Sequence, residues 1–403
     1  MDSLPPTVRR YWPLALTAVG FALYGWAMVV ATGSGHDGVI GPHFNALGAD
    51  WAIFMAAGRA IFSHDVSHIY DQLWIAQAVN SEYANWLSAP EPHPLFPYPP
   101  VYLLVVVPFA LLPIGWSLLA SQILQFAALA GALMTFVRGR FLAIAALMAP
   151  AASNNVLAGS NALLVAALIV GGLAALDTSP LLAGALLGLV IFKPQFVPLL
   201  LVALIAGRHW RALAAMGVTS ALFVLASVIA FGPNLWLKWA DVYIHPQAVD
   251  GVNGTEWGHI WDDSVSTCVS LLGAPREVAI AVQMAAALFA AVSVWQVFAA
   301  RHPARTAILL CAGLLASPHI SNYDLIGVAI AAAALTAQLP ANTRPLLLVL
   351  PLMAYAAPLF DPPRVVALGL ITPLLILGVM VALWRNPADQ RASQAGTRAP
   401  SET

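Results

Sequence analysis

The chain has 403 residues, of which 60% are hydrophobic and only 9% are charged, and its formal net charge is −1. A soluble domain carries about 25% charged residues, so this composition excludes a soluble protein and predicts an all-α polytopic membrane protein. The sequence has no basic run, and so it gives no indication of a nucleic-acid partner. Cys268 and Cys311 lie in separate apolar stretches and fit neither a disulfide framework nor a metal-ligand pattern.

Apolar windows interrupted by proline, glycine and charge predict twelve membrane spans. They lie near residues 13–31, 99–112, 116–137, 141–156, 161–176, 181–206, 211–231, 276–299, 305–318, 322–338, 345–360 and 364–384. The first span follows Arg9 and Arg10 as a signal peptide would, but it is long and no clean cleavage site follows, so we expect it to be retained. We predict one membrane domain over residues 1–384 and a disordered cytoplasmic tail over 385–403.

Basic residues in the short loops predict the orientation of these spans. With the N-terminus in the cytoplasm, more arginines fall on the cytoplasmic side than on the outer side. Arg138 and Arg140 count against this orientation, because the span list places them outside. Two long polar segments, 33–98 and 232–275, fall on the outer side, which therefore holds most of the candidate functional residues.

The first outer segment contains two weakly amphipathic stretches, 50–62 and 72–87, which we predict to be interfacial helices. Asp50 opens the first of them. A carboxylate at the membrane boundary suits a general base that acts on lipid-linked substrates, especially with a cation, Arg59, two and a half turns later. The alternative is a solvated helix N-cap without a catalytic role.

Lys193 lies in the middle of the apolar stretch 181–206. A lysine at such depth costs about 2.5 kcal/mol or more unless it faces a polar cavity or reaches the interface. Pro194 and Gln195 follow it and predict a helix break. The functional interpretation is an anion partner in a cavity, and the alternative is a lysine that extends to the interface from a span end.

The turn Ser317–Asp324 offers His319, Tyr323 and Asp324 at the outer boundary, where a lipid phosphate would lie. His319 could donate to phosphate while Asp324 orients it; an ordinary polar turn is the alternative. The second outer segment carries Trp257 and His259 among other aromatic and acidic residues. Such side chains line sugar-binding sites, but tryptophans also anchor proteins at the interface. The adjacent carboxylates in this segment lack the histidine spacing of a metal site, so we predict no metal and no cofactor.

Several short motifs recur in a fixed order along the chain. They are Asp50 to Arg59 with Ile69-Tyr70-Asp71, Tyr98-Pro-Pro100, Gly159-Ser-Asn161, Phe192-Lys-Pro-Gln195, and Ser317-Pro-His319 with Tyr323-Asp324. Over about residues 44–340 this combination resembles glycosyltransferase family 87, a family of the GT-C superfamily. The resemblance implies a GT-C-type bundle of about twelve transmembrane helices and an enzyme that uses polyprenyl-phosphate sugars.

The resemblance also implies roles for individual residues. The acidic residue of the first outer loop is the catalytic base in that family, which maps onto Asp50. The expected donor-phosphate contacts are His319, Lys193 and Arg59. The expected substrate contacts are Tyr70, Tyr98, Asn161, Gln195, Tyr323, Asp324, Trp257 and His259. Many relatives have Gly-Gln-Asn where this chain has Gly159-Ser-Asn, so the role of position 160 stays open.

We therefore expect an inverting hexosyltransferase, with mannose as the first candidate sugar, in the inner (plasma) membrane with its active site facing the periplasm or exterior. Its partners would be a polyprenyl-phosphate sugar donor, a lipid or glycan acceptor and membrane lipids. The rival is a transporter or flippase of lipid-linked sugars, which an intramembrane lysine and broken spans would also suit. Such a transporter should show repeated halves, and residues 13–206 and 211–384 show no convincing repeat.

Overall fold

The computed structural model describes residues 47–87, 90–91, 94–136, 140–244, 262–339, 348–359 and 371–385. Within these residues the regular structure is helical and contains no strand, which confirms the predicted all-α class. The first predicted span, the tail, and the site candidates Trp257 and His259 lie outside the described residues.

The α-helices are numbered in chain order. They are α1 (Ala49–Arg59), α2 (Gln72–Glu82), α3 (Leu103–Ala110), α4 (Ile114–Phe136), α5 (Arg140–Leu147), α6 (Pro150–Ala158), α7 (Ala162–Ala175), α8 (Pro180–Leu189), α9 (Val197–Ala206), α10 (Trp210–Phe231), α11 (Pro233–Ile244), α12 (Val265–Leu271), α13 (Arg276–Ala299), α14 (Arg305–Ala316), α15 (Ile326–Gln338), α16 (Val349–Tyr355) and α17 (Ile371–Trp384). Short 3-10 turns lie at Val66–His68, Pro100–Tyr102, Val190–Phe192, Pro194–Phe196 and Ala357–Leu359.

Three helices, α4, α10 and α13, are long and apolar enough to cross a membrane, and they match the predicted spans 116–137, 211–231 and 276–299. Most of the remaining apolar helices have 10 to 17 residues. The chain is thus a membrane protein, whereas the total of twelve spans stays a prediction.

The helix α1 is present, but its environment differs from the predicted interfacial one. Every residue from Trp51 to Gly58 is buried, so the helix is enclosed by protein around its whole circumference. Its N-cap is Gly48, which has a left-handed backbone with φ of 79° and no side-chain capping bond. Asp50 is therefore not the N-cap, and the alternative interpretation of this carboxylate as a helix cap is wrong.

The N-terminus of α1 is fixed against the end of α6. The Gly48 backbone N–H donates to the Leu157 carbonyl oxygen at 2.6 Å. Gly159, which ends α6 with φ of 71°, approaches so closely that a Cβ there would lie 2.6 Å from the Cβ of Trp51. The indole Nε1 of Trp51 donates to Ser117 Oγ at 2.8 Å, which ties α1 to α4 as well. These contacts set the position of Asp50.

Residues 99–112, predicted as the second span, do not cross the molecule. Helix α3 has only 8 residues, or about 12 Å of helix, and both of its ends lie beside α1. Before α3, the Tyr98 ring is 5.2 Å from that of Phe54. After α3, Arg59 Nη2 donates to the Leu112 carbonyl oxygen at 2.9 Å. This apolar stretch is too short for a span of about 20 residues.

The stretch 181–206, counted as one span in a region that could hold broken or re-entrant pieces, is a helical hairpin. Helix α8 ends before two 3-10 turns that flank Lys193, and α9 then returns. Asp177 precedes α8 and His209 follows α9, yet both interact electrostatically with each other and with Arg305. The start of α8 and the end of α9 thus lie on one side of the molecule, and Lys193 is at the apex on the other.

One predicted span, 99–112, is lost and another, 181–206, becomes two helices, so the two corrections cancel after residue 206. The side of the membrane predicted for each loop is therefore reversed only between the first outer segment and α10. Helix α4 begins near Gly48, against which Leu118 packs, and its 23 residues carry it to the opposite side at Phe136. In the predicted orientation that end is cytoplasmic. Arg140, which begins α5, therefore no longer counts against the orientation, while Arg138 lies outside the described residues.

Helices α8 and α10 pack closely through two glycines on α8. A Cβ at Gly184 would overlap the carbonyl oxygen of Ala212, and a Cβ at Gly188 would lie 2.7 Å from that of Met216. Ser220 Oγ donates to the Gly188 carbonyl oxygen at 2.9 Å across the same contact. Small residues four apart permit this approach in a membrane, where close packing replaces the hydrophobic effect as the driving force. This contact supports the hairpin that carries Lys193.

Candidate functional site

One open cavity of about 820 Å³, including space continuous with solvent, brings most of the candidate residues together. Its walls come from α1, the segment before α3, the apex of the α8–α9 hairpin and the turn between α14 and α15. The lining residues are Asp50, Ile53, Phe54, Leu95, Pro97, Tyr98, Pro99, Phe192, Lys193, Pro194, Gln195, Ser317, Pro318, His319, Tyr323 and Asp324.

Asp50 lies in the first turn of α1 and lines the cavity. Burial among protein atoms raises the pKa of this carboxyl to about 6. A hydrogen bond with the Tyr323 side chain and the charges of Lys193 and His319 limit the rise, while Asp324 adds to it. The result is a carboxylate that is more basic than a solvated aspartate and still ionised at neutral pH.

Lys193 forms a buried ion pair with Asp324. Lys193 Nζ is 2.7 Å from Asp324 Oδ1, and the two side chains are only 5% and 6% exposed. The ammonium also lies 5.6 Å from the centre of the Tyr323 ring, and the Ser321 backbone N–H donates to Asp324 Oδ2 at 3.2 Å. The proline that follows Lys193 ends the preceding helix as predicted. The alternative of an interfacial lysine is therefore wrong, because the ammonium is held inside the protein.

His319 has a different carboxylate partner from the one expected. Its Nδ1 is 3.2 Å from Asp262 Oδ2, whereas Asp324, which was expected to orient it, pairs with Lys193. Although it lies deep among protein atoms, the His319 side chain is 63% exposed because it faces the cavity. The sequence singled out Asp262 only as one of two adjacent carboxylates in the second outer segment. Its pairing could not be found there because no local pattern links positions so far apart.

Tyr98 forms part of the cavity wall and is held from behind. Its ring stacks on Tyr102 with centroids 4.4 Å apart, and its hydroxyl donates to Asn161 Oδ1 at 3.3 Å. The Tyr70 hydroxyl donates to the Tyr98 carbonyl oxygen at 2.7 Å. Tyr70 and Asn161, both expected as substrate contacts, are therefore not among the lining residues and instead position Tyr98.

The Arg59 guanidinium contacts groups outside the cavity. Its guanidinium pairs with Glu82, donates to the carbonyl oxygens of Ala110 and Leu112, and lies 5.7 Å from the ring centre of Tyr83. These contacts staple α1 to α2 and α3, and Arg59 does not line the cavity. This placement gives no support to the expected contact with the donor phosphate.

A second, apolar crevice lies between α7, α9, α14 and α15; its volume of about 420 Å³ includes space open to solvent, and little of it is wide enough for a water molecule. Asp324 belongs to the walls of both cavities, so the two meet at this residue. The other lining residues are Ala162, Val165, Ala166, Ile169, Phe196, Leu199, Leu200, Leu309, Leu310, Gly313, Leu314, Ile326 and Gly327.

Sequence reasoning missed the apolar wall of the main cavity and the support of its turn. Phe54 and Phe192 form part of the wall, and their helical spacing gave no sign that they face a cavity rather than the core. Ser317 Oγ donates to the His319 carbonyl oxygen at 2.6 Å. In the described part of the chain, no group of three or more His, Cys, Asp and Glu side chains is arranged to hold a metal ion.

Comparison with known proteins gives one match. The sequence model of glycosyltransferase family 87 matches residues 96–318, more than half of the 403 residues. A search of curated proteins and a search of solved structures found no match. The matched range contains Tyr98, Lys193 and Asp262, while Asp50 precedes it and His319 follows it directly.

Proposed function

Because this chain belongs to glycosyltransferase family 87 and is therefore a membrane glycosyltransferase, we propose that it transfers a hexose from a polyprenyl-phosphate donor to a hydroxyl of a lipid or glycan acceptor. The observation that carries the proposal is the shared cavity, in which a basic carboxylate, Asp50, faces the same space as His319 and Lys193. A base for the acceptor and cations for the leaving phosphate must flank one reacting centre, and this cavity has both.

Asp50 is the proposed general base. It takes the proton from the acceptor hydroxyl while that oxygen forms a bond to the anomeric carbon. The bond between the anomeric carbon and the phosphate oxygen breaks on the opposite face, and its electron pair leaves with the polyprenyl phosphate. Attack in line with the leaving group inverts the anomeric configuration. The raised pKa of Asp50 supports this role, because a stronger base removes the hydroxyl proton more readily.

His319 and Lys193 are the proposed partners of the phosphate. Negative charge grows on the phosphate as the glycosidic bond breaks, and cations held in a partly dry cavity stabilise it more than they would in water. Lys193 is already balanced by Asp324, so the phosphate would share that ammonium. We propose that these two side chains carry out the charge neutralisation that a divalent metal provides in other transferases. Gln195, Tyr98 and Tyr323, which also line the cavity, are proposed sugar contacts.

The lipid-linked donor is proposed on the family resemblance, because the apolar crevice beside Asp324 has room for little more than a water molecule. We propose mannose as the first sugar to test, on the family resemblance alone. The arginine distribution of the loops supports an active site that faces the periplasm or exterior.

The test is reconstitution of the purified protein in liposomes with synthetic polyprenyl-phosphate hexoses and a panel of lipid acceptors. We expect wild-type protein to transfer sugar and Asp50→Asn to lose about 100-fold or more of the rate. Asp177→Asn is the matched control, since this carboxylate pairs with Arg305 on the surface far from the cavity. Equal transfer by wild type and Asp50→Asn would remove Asp50 as the base. Movement of the donor across the bilayer without any transfer would favour a flippase instead.

A further inference from the structure

We propose that Asp262 is a positioning residue that holds the His319 imidazole in its doubly protonated form at the cavity wall, so that its Nε2–H can donate to an anionic leaving group. The inference rests on the proposed function for its role in transfer, but the dyad itself can be tested without substrate. Asp262 is not one of the residues that line the cavity, and so it would act through His319.

The geometry places the carboxylate directly behind the imidazole. Asp262 Oδ2 lies 3.2 Å from His319 Nδ1, and the Asp262 side chain is only 10% exposed while that of His319 is 63% exposed. The carboxylate is therefore sheltered and the imidazole is open. A sheltered carboxylate interacts more strongly with a cation than a solvated one does.

Asp262 is itself held firmly in place. Its Oδ1 accepts hydrogen bonds from the backbone N–H groups of Ser264 at 2.9 Å and Ile320 at 3.1 Å, and its Oδ2 accepts from Thr267 Oγ1 at 3.0 Å. Ile320 is the residue directly after His319, so the same carboxylate fixes both the side chain and the backbone of the turn. An aspartate that accepts this many bonds stays ionised.

The number of N–H groups on the imidazole decides whether His319 can donate to a phosphate. A neutral imidazole has one N–H, and if Nδ1–H points to Asp262 then Nε2 is only an acceptor. Nε2 can donate to a phosphate oxygen only when both ring nitrogens carry protons. Asp262 favours that state because it stabilises the positive charge of the imidazolium. Without Asp262, a neutral His319 could still donate from its Nε2–H tautomer, but it would no longer carry the positive charge that strengthens the bond to an anionic leaving group.

Other charged groups near His319 do not cancel this effect. Burial by itself lowers the pKa of His319, but the hydrogen bond and charge of Asp262, together with the charge of Asp324, outweigh it, so that the pKa is raised; Lys193 opposes them. Asp50 also interacts with His319 across the cavity. Burial alone would raise the pKa of Asp262. The hydrogen bond and charge of His319, with the backbone N–H groups that bond to this carboxylate, outweigh burial, so that the pKa is lowered.

A purely structural role is the competing explanation, because Asp262 also joins two segments that are distant in sequence. The Asp263 backbone N–H bonds to the Ile320 carbonyl oxygen at 2.9 Å and contributes to the same junction. A structural role predicts a loss of function that is the same at every pH. A positioning role predicts a loss that grows as the pH rises, because the variant histidine deprotonates earlier.

The experiment is a titration of the full chain in detergent micelles with 13C-labelled histidine, observed by NMR, with the His319 signal identified by its disappearance in His319→Gln. We expect the wild-type pKa to lie above that of a free histidine and to fall in Asp262→Asn. Asp263→Asn, which removes the adjacent carboxylate, is the matched control and should leave the titration unchanged. An unchanged His319 pKa in Asp262→Asn overturns the proposal. A wild-type His319 pKa at or below that of a free histidine also overturns the proposal, and this measurement does not depend on whether any variant folds.

Sugar transfer then tests the consequence. In Asp262→Asn we expect kcat/KM for polyprenyl-phosphate sugar to fall about tenfold at pH 8 and much less at pH 6. In a His319→Gln background the same change should no longer alter the pH dependence. A uniform loss at all pH values would overturn the positioning role. If wild-type protein transfers no sugar from any donor, the proposed function fails, while the titration still decides whether the dyad exists.

Discussion

At the scale of single residues, the three aspartates in and behind the cavity differ in the partners that they have. Asp324 and Asp262 are each paired with a cation, Lys193 and His319. Asp50 instead has a hydrogen bond with the side chain of Tyr323, and its pKa is raised. Asp262 is a weak base, because despite its burial its pKa is lowered by the hydrogen bond and charge of His319, while Asp324 is occupied by its ion pair with Lys193. The three aspartates are therefore not equivalent, and Asp50 is the one suited to accept a proton.

The pH dependence of transfer should report the pKa of Asp50. A general base acts in its ionised form, so activity should fall as the pH drops through about 6 rather than through the lower range of a solvated aspartate. Tyr323→Phe removes the hydrogen bond that lowers the pKa of Asp50, and hence the acidic limb should move to higher pH. The measurement is the transfer rate between pH 4.5 and 8 at low donor concentration.

Tyr355→Phe is the matched control for this prediction. Its hydroxyl donates to the Ala145 carbonyl oxygen at 2.6 Å, and it does not line the cavity. We expect it to alter stability without moving the acidic limb. An acidic limb that stays in place in Tyr323→Phe would mean that this tyrosine does not act on the base.

Residues of this site could be found from the sequence where they were unusual for their surroundings. Asp50, Lys193 and His319 are polar groups in a chain with only 9% charged residues, and all three line the cavity. Their catalytic roles stay predictions. Arg59 looked equally suitable, but whether a cation is free or already paired depends on tertiary contacts such as the one with Glu82. Local sequence carries no information on such contacts.

At the scale of helices, the residue at which a helix ends was easier to predict from the sequence than the direction in which the chain then continues. Pro194 ends a helix whatever surrounds it, because it lacks the backbone N–H that the helix needs. Whether the chain then continues through the membrane or turns back depends on the helices packed against it. The sequence left open whether the stretch that forms α8 and α9 is a broken span or re-entrant, because the glycines that fix the hairpin act through α10. The burial of α1 has the same origin, since α3, α4 and α6 enclose it.

The α8–α10 contact should tolerate no added side-chain volume. Gly184→Ala and Gly188→Ala each place a methyl group against a backbone carbonyl oxygen of α10, which should destabilise the protein by about 1–3 kcal/mol. Because this contact supports the apex at Lys193, the transfer rate should fall as well. The measurement is thermal unfolding in detergent, followed by loss of the monodisperse peak in size-exclusion chromatography.

Gly217→Ala on α10 is the matched control for both variants. A Cβ at Gly217 would meet no atom within 4 Å, so the added methyl group has space. Alanine also favours the helix over glycine by up to about 1 kcal/mol. We expect this variant to unfold at the same temperature as wild type or higher. If all three variants unfold together with wild type, the close approach of the two helices is wrong.

At the scale of the whole molecule, the cavity is a product of topology. It needs the start of α1, the apex of the hairpin and the turn after α14 on one side of the membrane. The spans predicted from hydropathy placed the start of α1 and the turn after α14 on the outer side but left Lys193 inside a span, and they included one span too many at 99–112 and one too few at 181–206. Those two errors cancelled, and the contact of Asp177 with Arg305 reveals them.

This topology predicts which loops share a side of the membrane. Both native cysteines, Cys268 and Cys311, are buried, so a single introduced cysteine can be labelled with little background. Ser81→Cys on the exposed face of α2 should react with a membrane-impermeant maleimide on intact cells if the cavity faces outward as proposed. In the same orientation, Thr178→Cys, next to Asp177, should react only after the membrane is permeabilised, because its neighbour pairs with Arg305 at the end of the bundle opposite the cavity.

The two positions decide separate questions. If Ser81→Cys and Thr178→Cys are both labelled from the same side, residue 178 lies on the cavity side of the membrane. The hairpin topology would then be wrong. Labelling of Thr178→Cys alone from outside would keep the topology and reverse its orientation. The cavity, and with it the sugar transfer, would then face the cytoplasm.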